Sequence, residues 1–185
     1  MRSLFPIDRQ WTLFLDRDGV INHRLVGDYV KEWSEFAFLP GVPAALAQLT
    51  RYFGRTVVVT NQQGIYKGLM SEADLTDIHQ RMLAELQAAD AHIDAIYHCP
   101  ASDADDPTQC RKPRLGMAHQ AQQAFPDIDL TRSLMVGDSV TDLQFGRKAG
   151  MRVAYVADTD LPSDQRHWYD IRVSGLPHLL TQLPA

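Results

Sequence analysis

Asp16 and Asp18 stand one residue apart at the end of a short apolar run, Trp11-Thr12-Leu13-Phe14-Leu15. A buried strand of that length would deliver Asp16 to a catalytic floor, and Gly19 permits the close turn that brings Asp18 back toward it. Two carboxylates so placed can share the work of breaking a phosphate ester. Asp16 would attack phosphorus to form an aspartyl phosphate, while Asp18 would protonate the leaving oxygen and later activate water. The same residues also make an ordinary Asp-Gly turn, so the chemistry needs support elsewhere in the chain.

Support comes from Gly137-Asp138-Ser139-Val140-Thr141-Asp142, where Asp138 and Asp142 are four residues apart and could share a face as a strand turns into a helix. Mg²⁺ prefers hard oxygen ligands and retains water, so Asp16, Asp138, a phosphate oxygen and the backbone oxygen of Asp18 form a plausible incomplete cage. Asp142 fits beside it, as a further ligand or as acidic support behind the ligands. Thr60 and Asn61 end a second apolar strand and lead into the donor-rich loop Gln62-Gln63-Gly64-Ile65-Tyr66-Lys67-Gly68. The Thr60 hydroxyl can hold a phosphoryl oxygen, Lys112 can add positive charge, and Arg111 can grip the substrate beyond the transferred phosphate. His79, His119 and His167 lack a partner at metal-ligand spacing and are read as structural or solvated.

Positioning these groups requires strand ends that converge. Thr56 to Thr60 reads as a strand, Ile93 to Tyr97 as a weaker one, and Leu134 to Val136 and Val153 to Val156 as two more. Between them lie helical spacings: Val42, Leu46, Leu49 and Phe53; then Leu75, Ile78, Met82 and Leu86 behind a Ser71-x-x-Asp74 capping box; then Leu115, Ala118, Ala121 and Phe125. Another helix runs to Ala149-Gly150, and a last one starts near Ser174. Such alternation predicts an α/β fold with a mostly parallel sheet, helices on both faces, and ligands beyond the C-terminal strand ends. Residues 1–185 are expected to form one domain, with a short flap around 22–39 and a loop around 98–113. The flap aromatics Tyr29, Trp33, Phe36 and Phe38 alternate as in a partly buried strand or hairpin.

Eighteen Lys plus Arg against 23 Asp plus Glu, a net charge of -5, argue against an extended nucleic-acid surface but leave room for a local basic pocket. No apolar run approaches membrane-spanning length, and Pro6 and Asp8 interrupt any secretory segment. Two cysteines are too few for a disulfide framework, so a reducing compartment is expected. The chain is thus read as cytoplasmic, without a membrane or nucleic-acid partner, and as a monomer because all candidate groups lie in one domain.

Asp16-Arg17-Asp18-Gly19-Val20-Ile21, Thr60, Lys112 and Gly137-Asp138-x-x-x-Asp142 together resemble the four ordered motifs of haloacid-dehalogenase-like phosphatases. The resemblance implies a Rossmann-like fold without a large cap, Asp16 as nucleophile, Asp18 as acid/base, Thr60 and Lys112 on the phosphate, and Asp138 with Asp142 around Mg²⁺. Phe36-x-Phe38-Leu39-Pro40-Gly41-Val42, Thr60-Asn61-Gln62-x-Gly64-Ile65-x-x-Gly68 and Cys110-Arg111-Lys112-Pro113-x-x-Gly116-Met117 are similar to the branch of D,D-heptose bisphosphate and histidinol-phosphate phosphatases. That branch implies a small phosphorylated metabolite as substrate, with Asn61, Arg111 and Lys112 recognising a sugar phosphate. Gln63, where the heptose phosphatases commonly carry Ser, could reach the sugar or narrow the site.

The branch commonly holds a structural zinc before the Arg-Lys pair. Here Cys99 and Cys110 remain, but Ala101 and Thr108 stand at the other two ligand sites, so structural zinc is not expected. The leading expectation is hydrolysis of a heptose bisphosphate, most plausibly the D-glycero-D-manno 1,7-bisphosphate. Histidinol-phosphate hydrolysis and a non-catalytic phosphate-binding regulatory module are the alternatives.

Overall fold

The computed structural model describes residues 7–183; positions 1–6, which include Pro6, lie outside it. The strands are β1 (Thr12–Leu15), β2 (Arg55–Asn61), β3 (Ala95–Cys99), β4 (Ser133–Gly137), β5 (Arg152–Val156) and β6 (Ile171–Val173). They form a six-stranded sheet in the order β3-β2-β1-β4-β5-β6. Every neighbouring pair is parallel, so each connection has to cross over a face of the sheet. The helices are α1 (Val42–Tyr52), α2 (Glu72–Ala88), α3 (Gly116–Ala124), α4 (Val140–Lys148) and α5 (Leu176–Leu180).

The two-residue period of the strands sorts the helices between the faces. Leu13, Leu15, Val58, Leu134 and Val136 pack into one core with buried residues of α1, α2 and α5. Phe14, Val57, Val59 and Met135 point the other way, onto α3 and Phe145 of α4. β1 and β4 are buried throughout, as sheets covered on both faces require. No helix among the described residues is long and apolar enough to cross a membrane.

Two expectations about individual elements are corrected, and one strand was not foreseen. β3 lies two residues further on than the apolar signal from Ile93 suggested, because its pairing with β2 runs from Ala95 opposite Val57 to Cys99 opposite Asn61. β6 carries only three residues, one of them the exposed Arg172, too short a pattern to read. The flap is not a hairpin: it holds a 3₁₀ turn at Trp33–Glu35 and single bridges from Asn22 to Asp18 and Phe38. Its aromatics alternate because they pack on one another, with Trp33 stacked on Phe36 at 4.8 Å and Phe38 edge-on to Phe36 at 5.0 Å.

The cysteines, expected to be reduced, are bonded to each other. Cys99 ends β3 and Cys110 returns beside it, with 5.4 Å between Cα atoms, a separation suited to a disulfide. In that state neither sulfur is a thiolate donor for zinc. The enclosed loop is further ordered by buried Asp106, whose carboxylate accepts from the backbone N–H groups of Cys110 at 3.0 Å and Arg111 at 2.9 Å.

The capping box read ahead of α2 is present: Ser71 Oγ accepts from the Asp74 N–H at 3.2 Å, and Asp74 Oδ2 accepts from the Ser71 N–H at 2.8 Å. Both bonds satisfy donors that a helix start leaves open. Ser71→Ala is expected to destabilise the protein by about 1 kcal/mol. Urea unfolding would show this as a lower midpoint at unchanged slope, and an unshifted midpoint would rule it out.

Candidate active site

The sheet order reverses around β1: the chain moves outward through β2 and β3, then returns to the other side of β1 with β4. Loops leaving strand ends at such a point diverge and open a crevice. Here the crevice is a cavity of about 510 Å³ whose lining includes Asp16, Asp18, Thr60, Lys112, Asp138 and Asp142. The sheet thus gathers into one place the residues proposed from β1, β2, β4 and the loop after β3.

Lys112 is the hub. Its ammonium donates to Asp16 Oδ1 at 2.8 Å and to the Val59 carbonyl at 2.7 Å, and lies 2.6 Å from Asp142 Oδ1. Lysine and both carboxylates are nearly inaccessible, so the low surrounding dielectric magnifies every charge. Burial disfavours the ammonium, yet Asp142 and Asp16 overcome it and push the Lys112 pKa up to about 12. One cation does not balance the acidic groups. Burial and Asp142 push Asp16 up to about 8 against the pull of Lys112. Asp138 is likewise pushed up to about 6 by burial and Asp142, against Arg24, whose Nη1 lies 3.3 Å from Asp138 Oδ2.

The Asp18 environment is the opposite. Burial raises its proton affinity, but the Arg17 charge and hydrogen bonds from Asn22, Arg17 and Gln62 outweigh it and hold the pKa below the ordinary carboxylate value. Arg17 Nη2 donates to both carboxylate oxygens at 2.9 Å, Asn22 Nδ2 to Oδ1 at 2.9 Å and Gln62 Nε2 to Oδ2 at 2.8 Å. Gln62 also donates to Thr60 Oγ1 at 2.9 Å, tying the end of β2 to the turn after β1. Arg17, Asn22 and Gln62 were not singled out from the sequence. The strand-end pattern at Asp16-Arg17-Asp18 and the Thr60-Asn61-Gln62 run were the available signals, but neither shows where a long side chain turns.

The outer wall brings together the residues expected to meet substrate. Asn61 lines the cavity, but its amide is spent on Lys112: Oδ1 accepts from the Lys112 N–H at 3.0 Å and Nδ2 donates to its carbonyl at 3.2 Å. It therefore fixes the backbone that carries the lysine. Arg111 Nε donates to Asp103 at 2.7 Å, while its Nη1 is buried without a hydrogen-bond partner. Gln63 accepts from the Tyr29 hydroxyl at 3.3 Å, and Lys67 Nζ donates to the same hydroxyl at 3.1 Å. Arg24 and Lys67, also unanticipated, add cationic charge to the lining.

The acidic side of the crevice fits a divalent cation. Carboxylate oxygens of Asp16, Asp138 and Asp142 all lie within 4.8 Å of one another, and Asp138 Oδ1 is buried without a hydrogen-bond donor. Hard oxygen donors in this number suit Mg²⁺. Two glycines allow the carboxylates this close approach. A Cβ on Gly19, whose φ is +90°, would lie 2.0 Å from Asp138 Oδ2, and one on Gly137 would lie 2.2 Å from Asp142 Cβ.

An Asp-x-Asp strand end facing a Gly-Asp-x-x-x-Asp strand end across a buried lysine, on a sheet of this order, defines a haloacid-dehalogenase-like hydrolase. The HAD-hydrolase-like family matches residues 109–168. The chain is 40% identical over 152 residues to the D-glycero-alpha-D-manno-heptose-1,7-bisphosphate 7-phosphatase of Mycobacterium tuberculosis, covering 82% of this chain and 80% of the relative. It is 37% identical over 155 residues to the D-glycero-beta-D-manno-heptose-1,7-bisphosphate 7-phosphatase of Haemophilus influenzae, covering 81% and 83%. The crystal structure of the D,D-heptose 1,7-bisphosphate phosphatase of B. bronchiseptica, complexed with magnesium and phosphate, superposes with a TM-score of 0.79 at 33% identity, covering 92% of this chain and 96% of that one. The chain belongs to the D,D-heptose 1,7-bisphosphate 7-phosphatase family.

The raised carboxylate pKa values carry a sign that can be measured. Without metal, folded Asp16 (about 8) and Asp138 (about 6) bind protons that unfolded aspartate, at 3.8, has released. These groups therefore take stability away as pH rises from about 4 to 8, and a cation held by the same oxygens competes with the protons. Added Mg²⁺ is expected to raise the melting temperature more at pH 8 than at pH 6. A shift that is equal at both pH values, or larger at pH 6, would contradict this electrostatic account.

Proposed function

We propose that this chain hydrolyses a phosphate ester of D-glycero-D-manno-heptose 1,7-bisphosphate through an aspartyl phosphate on Asp16, with Mg²⁺ as cofactor. The observation that carries the reading is Asp16 itself: a carboxylate at the end of β1, on a cavity floor, bonded to Lys112 and close to Asp138 and Asp142. Asp16, Asp138 and the backbone oxygen of Asp18 would hold Mg²⁺, with Asp142 inside or just behind the ligand set. The bound cation supplies the positive charge that lets a carboxylate approach a phosphate dianion.

In the first step an Asp16 oxygen bonds to phosphorus and the bond from phosphorus to the sugar oxygen breaks, with Asp18 giving that oxygen its proton. The charge of the incoming phosphate raises the proton affinity of Asp18, opposing Arg17 and Gln62. In the second step Asp18, now a carboxylate, takes a proton from water as the water oxygen bonds to phosphorus. The acyl phosphate bond breaks, which releases inorganic phosphate and restores Asp16. Thr60 and Lys112 hold phosphoryl oxygens, and Asn61 keeps the lysine in place. Arg111, through its unpaired Nη1, binds the second phosphate with Arg24 and Lys67 nearby, and Gln63 meets the sugar. The whole chain acts as one domain and as a monomer without nucleic acid, since each of these groups comes from the C-terminal ends of one sheet or the loops beside them. Its place of action is the cytoplasm, because charged phosphate esters do not cross a bilayer unaided; the Cys99–Cys110 disulfide, of a kind rare in that compartment, is a feature that runs against this reading.

Phosphate release should be measured with purified protein, Mg²⁺ and a panel containing heptose bisphosphate and histidinol phosphate. Heptose bisphosphate should be preferred; turnover of histidinol phosphate alone would reject the substrate, and tight binding without release across the panel would reject catalysis. Asp16→Asn should abolish the covalent intermediate, since an amide is a poor nucleophile, and Asp18→Asn should lower kcat on heptose bisphosphate by about 10²-fold or more. Activity retained in folded Asp16→Asn would remove the mechanism.

A further inference from the structure

Arg17 is fully buried. Its main chain and side chain both serve the turn that carries Asp18. The Arg17 carbonyl accepts from the N–H groups of Val20, Ile21 and Asn22 at 3.3, 2.8 and 3.1 Å, and its Nη2 grips both oxygens of Asp18. The other terminal nitrogen, Nη1, lies 3.1 Å from Nε2 of His79, while Nε is buried with no partner. Guanidinium has only donors, so Nε2 of His79 must accept and the ring must be neutral, with its proton on Nδ1. Burial and the Arg17 charge favour that state, holding the imidazole pKa down to about 3. The ring sits on the buried face of α2 beside Leu75, Ile78 and Met82 and lies edge-on to His98 at 6.3 Å.

We infer that His79 is a positioning residue for the phosphatase reaction: by accepting from Arg17 Nη1 it fixes the guanidinium plane whose other end orients the Asp18 carboxylate. The inference rests on Asp18 being the acid/base. A planar fork bonded at one end alone can swing about its long side chain. Bonded at Nη1 and Nη2 to groups on opposite sides, it has one orientation. Removing the ring acceptor releases Nη1 to seek another partner and shifts Nη2 from the two Asp18 oxygens, while Asp16, Lys112 and the acidic cluster stay in place. The loss therefore falls on proton transfer, not on binding or nucleophilic attack.

Leaving-group chemistry separates these effects. A sugar alkoxide needs a proton as it departs, whereas nitrophenolate leaves readily without one, and kcat/KM for a two-step hydrolysis reports only events up to the first bond cleavage. His79→Met retains apolar volume without a nitrogen acceptor, and His79→Gln restores an acceptor through its amide oxygen. H79M is expected to lower kcat/KM on heptose bisphosphate roughly tenfold, a part of the usual acid/base contribution, with less than a twofold change on p-nitrophenyl phosphate. H79Q is expected to recover most of the difference, and Asp18→Asn to show the same skew more strongly. An equal loss on both substrates in H79M, or none, with the skew present in D18N, overturns the relay and leaves the Asp18 assignment standing. Absence of the skew in D18N overturns the assignment and the relay with it. Should H79M not fold, His79→Ala takes its place under the same criteria, and failure of both to fold makes the ring a stability element and refutes the proposal.

Discussion

The Lys112 ammonium, held between Asp16, Asp142 and the Val59 carbonyl, is the contact on which the rest of the site depends. A buried ammonium or carboxylate standing alone would lose several kcal/mol of hydration with nothing in return. Together they offset part of that loss at the C-terminal ends of the central strands. The lysine also sets the charge balance of the crevice, because one buried cation among three inward-facing carboxylates, with only the exposed Arg24 beside Asp138, leaves the acidic side under-neutralised. In the proposed mechanism that imbalance draws in the divalent ion and, through it, the phosphate.

Around this contact the protein uses uncharged groups to hold charged ones. Asn61 grips the Lys112 backbone on both its donor and acceptor sides, and Gln62 bridges Thr60 and Asp18. Ser139 donates to Asp142 at 2.6 Å from the helix start. A neutral clamp fixes a geometry without adding net charge, while its N–H dipoles, as at Asp18, lower the proton affinity of the carboxylate they reach. The result is two aspartates, one residue apart, in opposite states: Asp16 with raised proton affinity among acidic neighbours, and Asp18 with lowered affinity among donors. Divergent environments of this kind are how a protein assigns different roles to chemically identical side chains.

Asp16, Asp18 and Asp138 were legible in the sequence because each follows the end of a short apolar run, and a parallel sheet sends all such ends to one side; Asp142 was legible from its four-residue spacing from Asp138 at a helix start. Thr60 followed from the same logic. Lys112 was harder, since a basic residue after a long polar loop has no periodicity, and its assignment leaned on the family motif. The supporting network was not legible. Arg17 looks like a spacer between two aspartates, and His79 was set aside because it lacked a second ligand at helical spacing. Its partner is 62 positions away and is a guanidinium. β6 and the flap were obscured for a related reason: their form comes from what they pack against, and a three-residue strand, a three-residue 3₁₀ turn and isolated bridges carry too little pattern to reveal it.

The bond between Lys112 and Asp16 spans 96 positions, and Asp138 and Asp142 lie later still. During synthesis, β1 and β2 can emerge with their apolar faces complete while Asp16 has neither its lysine nor its acidic neighbours. The N-terminal half therefore has to keep the end of β1 wet until Lys112 arrives. Long-range closure of this kind slows folding. A fragment ending before α3 would possess Lys112 but neither Asp138 nor Asp142, and so only part of the charge balance of the finished site. The two halves of the sheet are in this sense a single cooperative unit, joined as much by electrostatics as by the strand pairing between β1 and β4.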